Sequence, residues 1–148
     1  MIEKGMSILD QLGIDIGFRT THMKTVTEAD IVLFAGISGD FNPIHTCEEY
    51  AQKTFFNGRI AHGVIAIGLL SAAMAKLPGL VIFISQSIRF LKPVKIGDTI
   101  TATAEVTETR KDKNIITLKN ICINQAGETI IEGEATVRIY EAPSELKT

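Results

Sequence analysis

The sequence predicts an α+β domain in which an antiparallel sheet is wrapped around one long central helix. Two observations predict it. From His62 to Leu77 apolar residues stand on every side of a helical projection, with Val64, Ile65, Ile67, Leu69, Leu70 and Met74 interleaved with Gly and Ala, which marks a helix enclosed by protein. After Pro78-Gly79 the periodicity changes from helical to alternating. In the clearest strand Ile100, Ala102, Ala104 and Val106 alternate with Thr99, Thr101, Thr103, Glu105 and Thr107, so one face is buried and the other wet. The 148 residues suit a single domain spanning the whole chain, with 1–18 and 143–148 expected as a loosely ordered leader and tail.

Each element has a local reason. Arg19 to Thr27, rich in Thr and Val, predicts a first strand. Thr27-Glu28-Ala29-Asp30 has the form of a capping box, and Ile31, Phe34 and Ala35 follow at helical spacing, so a helix is expected over Glu28 to Ile37. Gly39 suits a left-handed terminus, Asp40 to Ile44 a loop held by Pro43, and Cys47 to Lys53 a short helix. The long helix over His62 to Leu77 would measure about 24 Å at 1.5 Å per residue. Ile82 to Leu91 predicts an extended run bounded by Lys92-Pro93, and Lys95 to Asp98 a turn. A hairpin at Lys111 to Asn114 leads into a strand over Ile115 to Asn124 whose alternation slips near Asn120, as at a bulge. Ala126-Gly127 turns the chain again, and Ile131, Gly133, Ala135, Val137 and Ile139 face inward on the last strand. One such sheet leaves two open edges and one bare end of the helix, so at least a homodimer is expected.

Composition narrows the function. With 45% hydrophobic and 22% charged residues and a net charge of -2, the chain offers no electrostatic basis for binding nucleic acid or an anionic membrane, and a small diffusible ligand is the better expectation. The longest uncharged run, Ile60 to Ala75, is shorter than the roughly 20 apolar residues that cross a bilayer. Cys47 and Cys122 lack a CxxC spacing, and no apolar leader opens the chain, so reduced thiols and a cytoplasmic location are expected.

The chemistry is concentrated in Ser38-Gly39-Asp40-Phe41-Asn42-Pro43-Ile44-His45 and in His62-Gly63 at the head of the uncharged run. A carboxylate and an imidazole five positions apart, separated by an Asn-Pro turn, can point at one small volume and share a water. This reads as an acid/base pair. His22, His45 and His62 have no ligand spacing of a metal motif, so neither a metal nor another cofactor is expected. His62 also suits a structural part, a histidine at a helix entry whose ring bonds to backbone.

These residues, with Phe56 and Ile60-Ala61-His62-Gly63, closely resemble the hydratase motif of the MaoC-like hot-dog family, and in particular its (R)-specific enoyl-CoA hydratases. The resemblance covers about Thr27 to Tyr140 and implies the hot-dog fold. It further implies reversible hydration of a trans-2-enoyl-CoA to the (R)-3-hydroxyacyl-CoA. Asp40 and His45 would be the catalytic pair, with His45 the base and Asp40 the group that orients water and passes the proton on, or with these roles shared. The Gly63 N–H would stabilise the thioester oxygen. A serine nine residues past the motif histidine lines the site in family members, and Ser71 stands at that distance. Asn42 would fix the loop or a water, and Ile44, Phe55, Phe56 and His62 would line the substrate. The chain departs from the family where Cys47-Glu48 replaces a common Asp-Pro and where Arg59 replaces a Pro. Arg59 is a candidate to meet a phosphate of coenzyme A or of a phosphopantetheine arm.

Other activities fit the same shape. A 3-hydroxyacyl dehydratase acting on acyl carrier protein keeps the chemistry and changes the carrier. A thioesterase would direct water at the carbonyl instead of the β-carbon. A non-catalytic acyl-CoA binding subunit would need neither Asp40 nor His45.

Overall fold

The computed structural model describes residues 5–144, and the ends of the expected leader and tail, 1–4 and 145–148, lie outside the described residues. Residues 8–14 depart from the loose leader expected of them. Ile8–Gln11 forms a one-turn helix, α1, whose N-cap Ser7 accepts a hydrogen bond from the Asp10 N–H. Leu9 and Ile14 are fully buried, and Lys111 Nζ lies 2.7 Å from Asp10 Oδ1. Four helical residues are too few to show a period, so only burial reveals this element.

The first strand, β1 (Arg19–Thr25), leads into α2 (Glu28–Ser38). Here the capping box is complete: Thr27 Oγ1 accepts from the Asp30 N–H at 3.3 Å, and Asp30 Oδ2 accepts from the Thr27 N–H at 2.9 Å. Gly39 ends the helix with φ of 78°, in the left-handed region that a Cβ disfavours. Two short helices follow, α3 (Pro43–Thr46) and α4 (Glu48–Gln52). The first corrects the expected loop over Asp40 to Ile44: Pro43, with its fixed φ and missing N–H, opens a helical turn instead of holding a bend.

The central helix α5 (Gly63–Met74) precedes β2 (Leu80–Phe90), β3 (Thr99–Arg110), β4 (Ile115–Ile123) and β5 (Thr129–Tyr140). All five strands form one antiparallel sheet in the order β1-β3-β4-β5-β2. The inward faces of β3, β4 and β5, including Ile100, Ala102, Ala104, Leu118 and Val137, meet Ala66, Leu70, Ala73 and Met74 of α5 in one core. Small residues on β3 bring the helix close to the sheet.

Three expectations need correction. The central helix is 12 residues long, about 18 Å at 1.5 Å per residue, with His62 as N-cap and 75–77 continuing as turn. Nor is it enclosed on every side: Val64, Gly68, Ser71 and Ala75 form an exposed stripe, because the sheet covers α5 mainly with β1, β3 and β4. Third, the alternation of β4 does not slip at Asn120. This residue faces inward and is fully buried, its Oδ1 accepting from Gln86 Nε2 at 2.8 Å, while the irregularities of β4 lie opposite Val106 to Glu108 and at Cys122 to Ile123. A polar residue on the apolar face mimics a bulge in sequence when its partner comes from a distant strand.

Two glycines in this fold predict opposite outcomes. A Cβ on Gly133 would lie 2.0 Å from the Ser87 carbonyl oxygen across the β5–β2 pair, so Gly133→Ala is expected to destabilise by at least ~2 kcal/mol. Gly36, inside α2, has open space around it and an ordinary helical φ, and Gly36→Ala is expected to stabilise by about 0.5–1 kcal/mol. Urea midpoints at an unchanged m-value check both signs.

Candidate active site

The bend between α2 and α3 is held by side-chain bonds to its backbone N–H groups. Ser38 Oγ accepts from the Asp40 N–H at 3.1 Å, and Asp40 Oδ1 accepts from the Asn42 N–H at 3.2 Å. Asn42 is the N-cap of α3, its Oδ1 accepting from the Ile44 N–H at 3.2 Å, so its observed work is to fix the loop. One turn of helix then carries His45 inward, where about nine-tenths of it is buried.

His45 Nδ1 lies 2.7 Å from the Ile60 carbonyl oxygen. A carbonyl can only accept, so Nδ1 carries a proton, and in the neutral ring Nε2 holds the lone pair. His62 obeys the same logic from the other side: its Nε2 donates to the Asp40 carbonyl at 2.9 Å, leaving Nδ1 as the acceptor. That Nδ1 is buried without a partner among the described residues, a cost of about 1–3 kcal/mol. The ring is held there by packing, with its centroid 4.0 Å from that of His45 and 4.7 Å from that of Phe34. His62 therefore bonds to backbone, and it does so by securing Asp40.

The Asp40 carboxylate and a ring nitrogen of each histidine lie within 4.8 Å of one another. These three side chains are of metal-ligating types, a grouping that linear spacing does not show. The two imidazoles, however, lie with centroids 4.0 Å apart and planes inclined by 31°. Each ring also commits one nitrogen to a backbone carbonyl. The arrangement suits proton transfer better than chelation.

His45 lines a cavity of about 320 Å³ together with Phe56, Ile60, Ala61, Gly63, Phe90, Leu91, Lys92, Pro93, Val94 and Ile131. Gly63 is the first residue of α5, and the His62 side chain makes no capping bond to the helix, so the first-turn N–H groups are free of a side-chain cap. The Phe90 ring sits where a Cβ of Gly63 would be, at 2.6 Å. The wall from Phe90 to Val94 was not singled out from sequence, because only the return of β2 and the bridge between Ile60 and Lys95 bring it beside the bend.

Other candidates are placed differently. Ile44 is half-buried and its carbonyl accepts from the Ile60 N–H, but it does not line the cavity. Phe55 is 86% exposed and stacks on Phe56 instead of lining a tunnel. Ser71 lies two turns along α5 from Gly63 and lines a second cavity with Met74, Ala75, Gly79, Val81 and Phe83, apart from His45. Arg59 is no free cation: its guanidinium pairs with Glu28 and Glu48. The hydrogen bond from Arg59 holds the Glu28 carboxyl below the usual carboxylate range. A depressed acid contributes its pairing above its unfolded value and loses it as pH falls through the folded value, so this pair stands throughout neutral pH.

A family model described as MaoC like domain matches residues 12–125. The chain belongs to the MaoC-like family. Among its relatives, an (R)-specific enoyl-CoA hydratase of Rhodospirillum rubrum is 49% identical over 118 residues, covering 78% of this chain and 81% of that protein. A 3-hydroxybutyryl-CoA dehydratase of Methylorubrum extorquens is 38% identical over 128 residues, covering 85% and 81%. The solved structure of an (R)-hydratase from A. caviae involved in PHA biosynthesis superposes with a TM-score of 0.82 at 36% identity, covering 86% of this chain and 98% of that one. The sheet around α5 is the hot-dog fold of these MaoC-like proteins. No helix among the described residues is long and apolar enough to cross a membrane.

Both cysteines of this MaoC-like chain are free. Burial pushes the Cys122 thiol up to about 12, whereas Cys47, between α3 and α4, is exposed. Titration of the native protein with a chromogenic disulfide at pH 8 is expected to release one equivalent rapidly and the second only after denaturation.

Proposed function

We propose that this chain catalyses the reversible hydration of a trans-2-enoyl-CoA to the (R)-3-hydroxyacyl-CoA, with Asp40 and His45 activating the water. The observation that carries this reading is the approach of the Asp40 carboxylate to within 4.8 Å of a His45 ring nitrogen, beside the cavity that Gly63 also lines. Two hydrogen bonds of about 2.8 Å meeting at one water oxygen span about 4.6 Å, so groups at this separation are near enough to share one water. His45 Nε2 takes a proton from this water as the water oxygen bonds to C3 of the enoyl group. Charge moves to the thioester oxygen, where the Gly63 N–H and the positive end of α5 stabilise it. The proton then passes through the pair to C2 on the same face, and the thioester carbonyl re-forms. Water has been added and both side chains are restored.

Phe56 and Ile131 give the acyl group an apolar wall, Asn42 holds the bend, and His62 holds Asp40. The relatives named as (R)-specific hydratases support both the substrate class and the stereochemistry. Free thiols support a cytoplasmic enzyme. A homodimer fits the open edge of β2, where Leu80, Ile82, Phe83 and Ile84 are exposed on both faces of the strand next to the bare stripe of α5.

Loss of the conjugated-thioester absorbance of crotonyl-CoA tests the chemistry. Asp40→Asn and His45→Gln are each expected to lower turnover by at least ~100-fold, and parental rates in both would place water activation elsewhere. Gly63→Ala, whose methyl group would meet the Phe90 ring at 2.6 Å, is expected to keep the fold and lose at least ~10-fold in rate. Release of free thiol in place of hydration would mark a thioesterase, and activity confined to acyl carrier protein thioesters would move the carrier. Light scattering is expected to return the mass of two chains or a multiple of it, and a clean monomer contradicts the dimer.

A further inference from the structure

Arg59 and Ile60 are consecutive, and both grip His45. The Ile60 carbonyl accepts a hydrogen bond from His45 Nδ1 at 2.7 Å. Arg59 Nη1 donates to the His45 main-chain carbonyl at 3.3 Å, at the C-terminal turn of α3, where helix carbonyls lack intrahelical partners and a cation is favoured. The same guanidinium spans to α2, with Nη1 3.0 Å from Glu28 Oε1 and Nη2 bonded to Glu28 Oε2. Its Nε lies 3.4 Å from Glu48 Oε2 on α4, and the Arg59 N–H donates to the same oxygen at 3.2 Å. The side chain is only 17% exposed.

We infer that Arg59 is a positioning residue for His45, a clamp that ties α2, α3 and α4 together around the bend that carries the acid/base pair. Charge disfavours the other use of this cation. One guanidinium between two carboxylates leaves the cluster negative, and both Nη atoms already bond to Glu28. Geometry gives the positive reason: truncating Arg59 removes the bond to the His45 carbonyl and loosens the segment whose next carbonyl orients the ring. A shift of about 1 Å in a base is enough to cost on the order of 10- to 100-fold in rate. The inference rests on the reading of His45 as the base.

The test compares kcat and KM for crotonyl-CoA and for crotonyl-pantetheine, which lacks the nucleotide phosphates, in the parent, Arg59→Ala, Arg59→Lys and His45→Gln, with thermal melts alongside. Arg59→Ala is expected to lower kcat by about 10-fold or more to the same extent with both thioesters, with KM changing less than about 2-fold. Arg59→Lys keeps the charge but cannot span Glu28 and the His45 carbonyl with a planar fork, and its kcat is expected to fall between Arg59→Ala and the parent. Parental kcat in Arg59→Ala overturns the inference, as does a rise in KM confined to the CoA thioester. If Arg59→Ala does not fold, Arg59→Lys decides: a lower kcat at unchanged KM for both thioesters supports the clamp, and parental kcat overturns it. An active His45→Gln would instead remove the base assignment, which separates the two failures.

Discussion

The hydrogen bond of 2.7 Å from His45 Nδ1 to the Ile60 carbonyl is the constraint on which the site depends, because it decides which ring nitrogen keeps a lone pair. An imidazole free to exchange tautomers would present a donor as readily as an acceptor, and a donor cannot take a proton from water. The carbonyl removes that choice without placing a charge next to the ring. The partner residue is fixed by the mirrored device, in which His62 donates to the Asp40 main-chain carbonyl, while Asp40 Oδ1 accepts from the Asn42 N–H. Thus two side chains from one bend are aligned by contacts with a single later segment, 60–62.

That segment also begins α5, and this joins chemistry to fold. Its path is set by the Ile60 to Lys95 bridge and by the Ala61 N–H, which donates to the Val94 carbonyl at 2.7 Å. The β2–β3 connection therefore positions the carbonyl that orients His45 and also the first N–H groups of the central helix. A helix whose N-cap makes no side-chain bond, next to a buried imidazole, is poor design for stability alone, since it leaves the His62 Nδ1 acceptor without a partner among the described residues. Under the proposed hydration it suits a site that meets developing negative charge and admits one water.

Much of this was legible in the sequence because it is local. The capping box at Thr27 and Asp30, the left-handed Gly39, the alternation of β3 and the inward face of β5 depend on neighbours a few residues away, and each stands as expected. What was not legible depends on distant contacts. The one-turn α1 shows only through the burial of Leu9 and Ile14, and Asn120 looks like a bulge until Gln86 arrives from another strand. Arg59 reads as a free cation beside an entrance until Glu28, 31 residues earlier, is found bonded to it. Ser71 has the right count from His62, but two helical turns carry it to another cavity. Spacing reports which residues can meet, and the sheet decides which do.

The tautomer of His45 is directly measurable. In a two-bond nitrogen–proton correlation spectrum of the 15N-histidine-labelled protein at pH 7.5, His45, assigned by comparison with His45→Gln, is expected to show a protonated Nδ1 and an unprotonated Nε2. A neutral ring protonated on Nε2 would put a donor where the mechanism needs a base, and the account would be wrong at its centre.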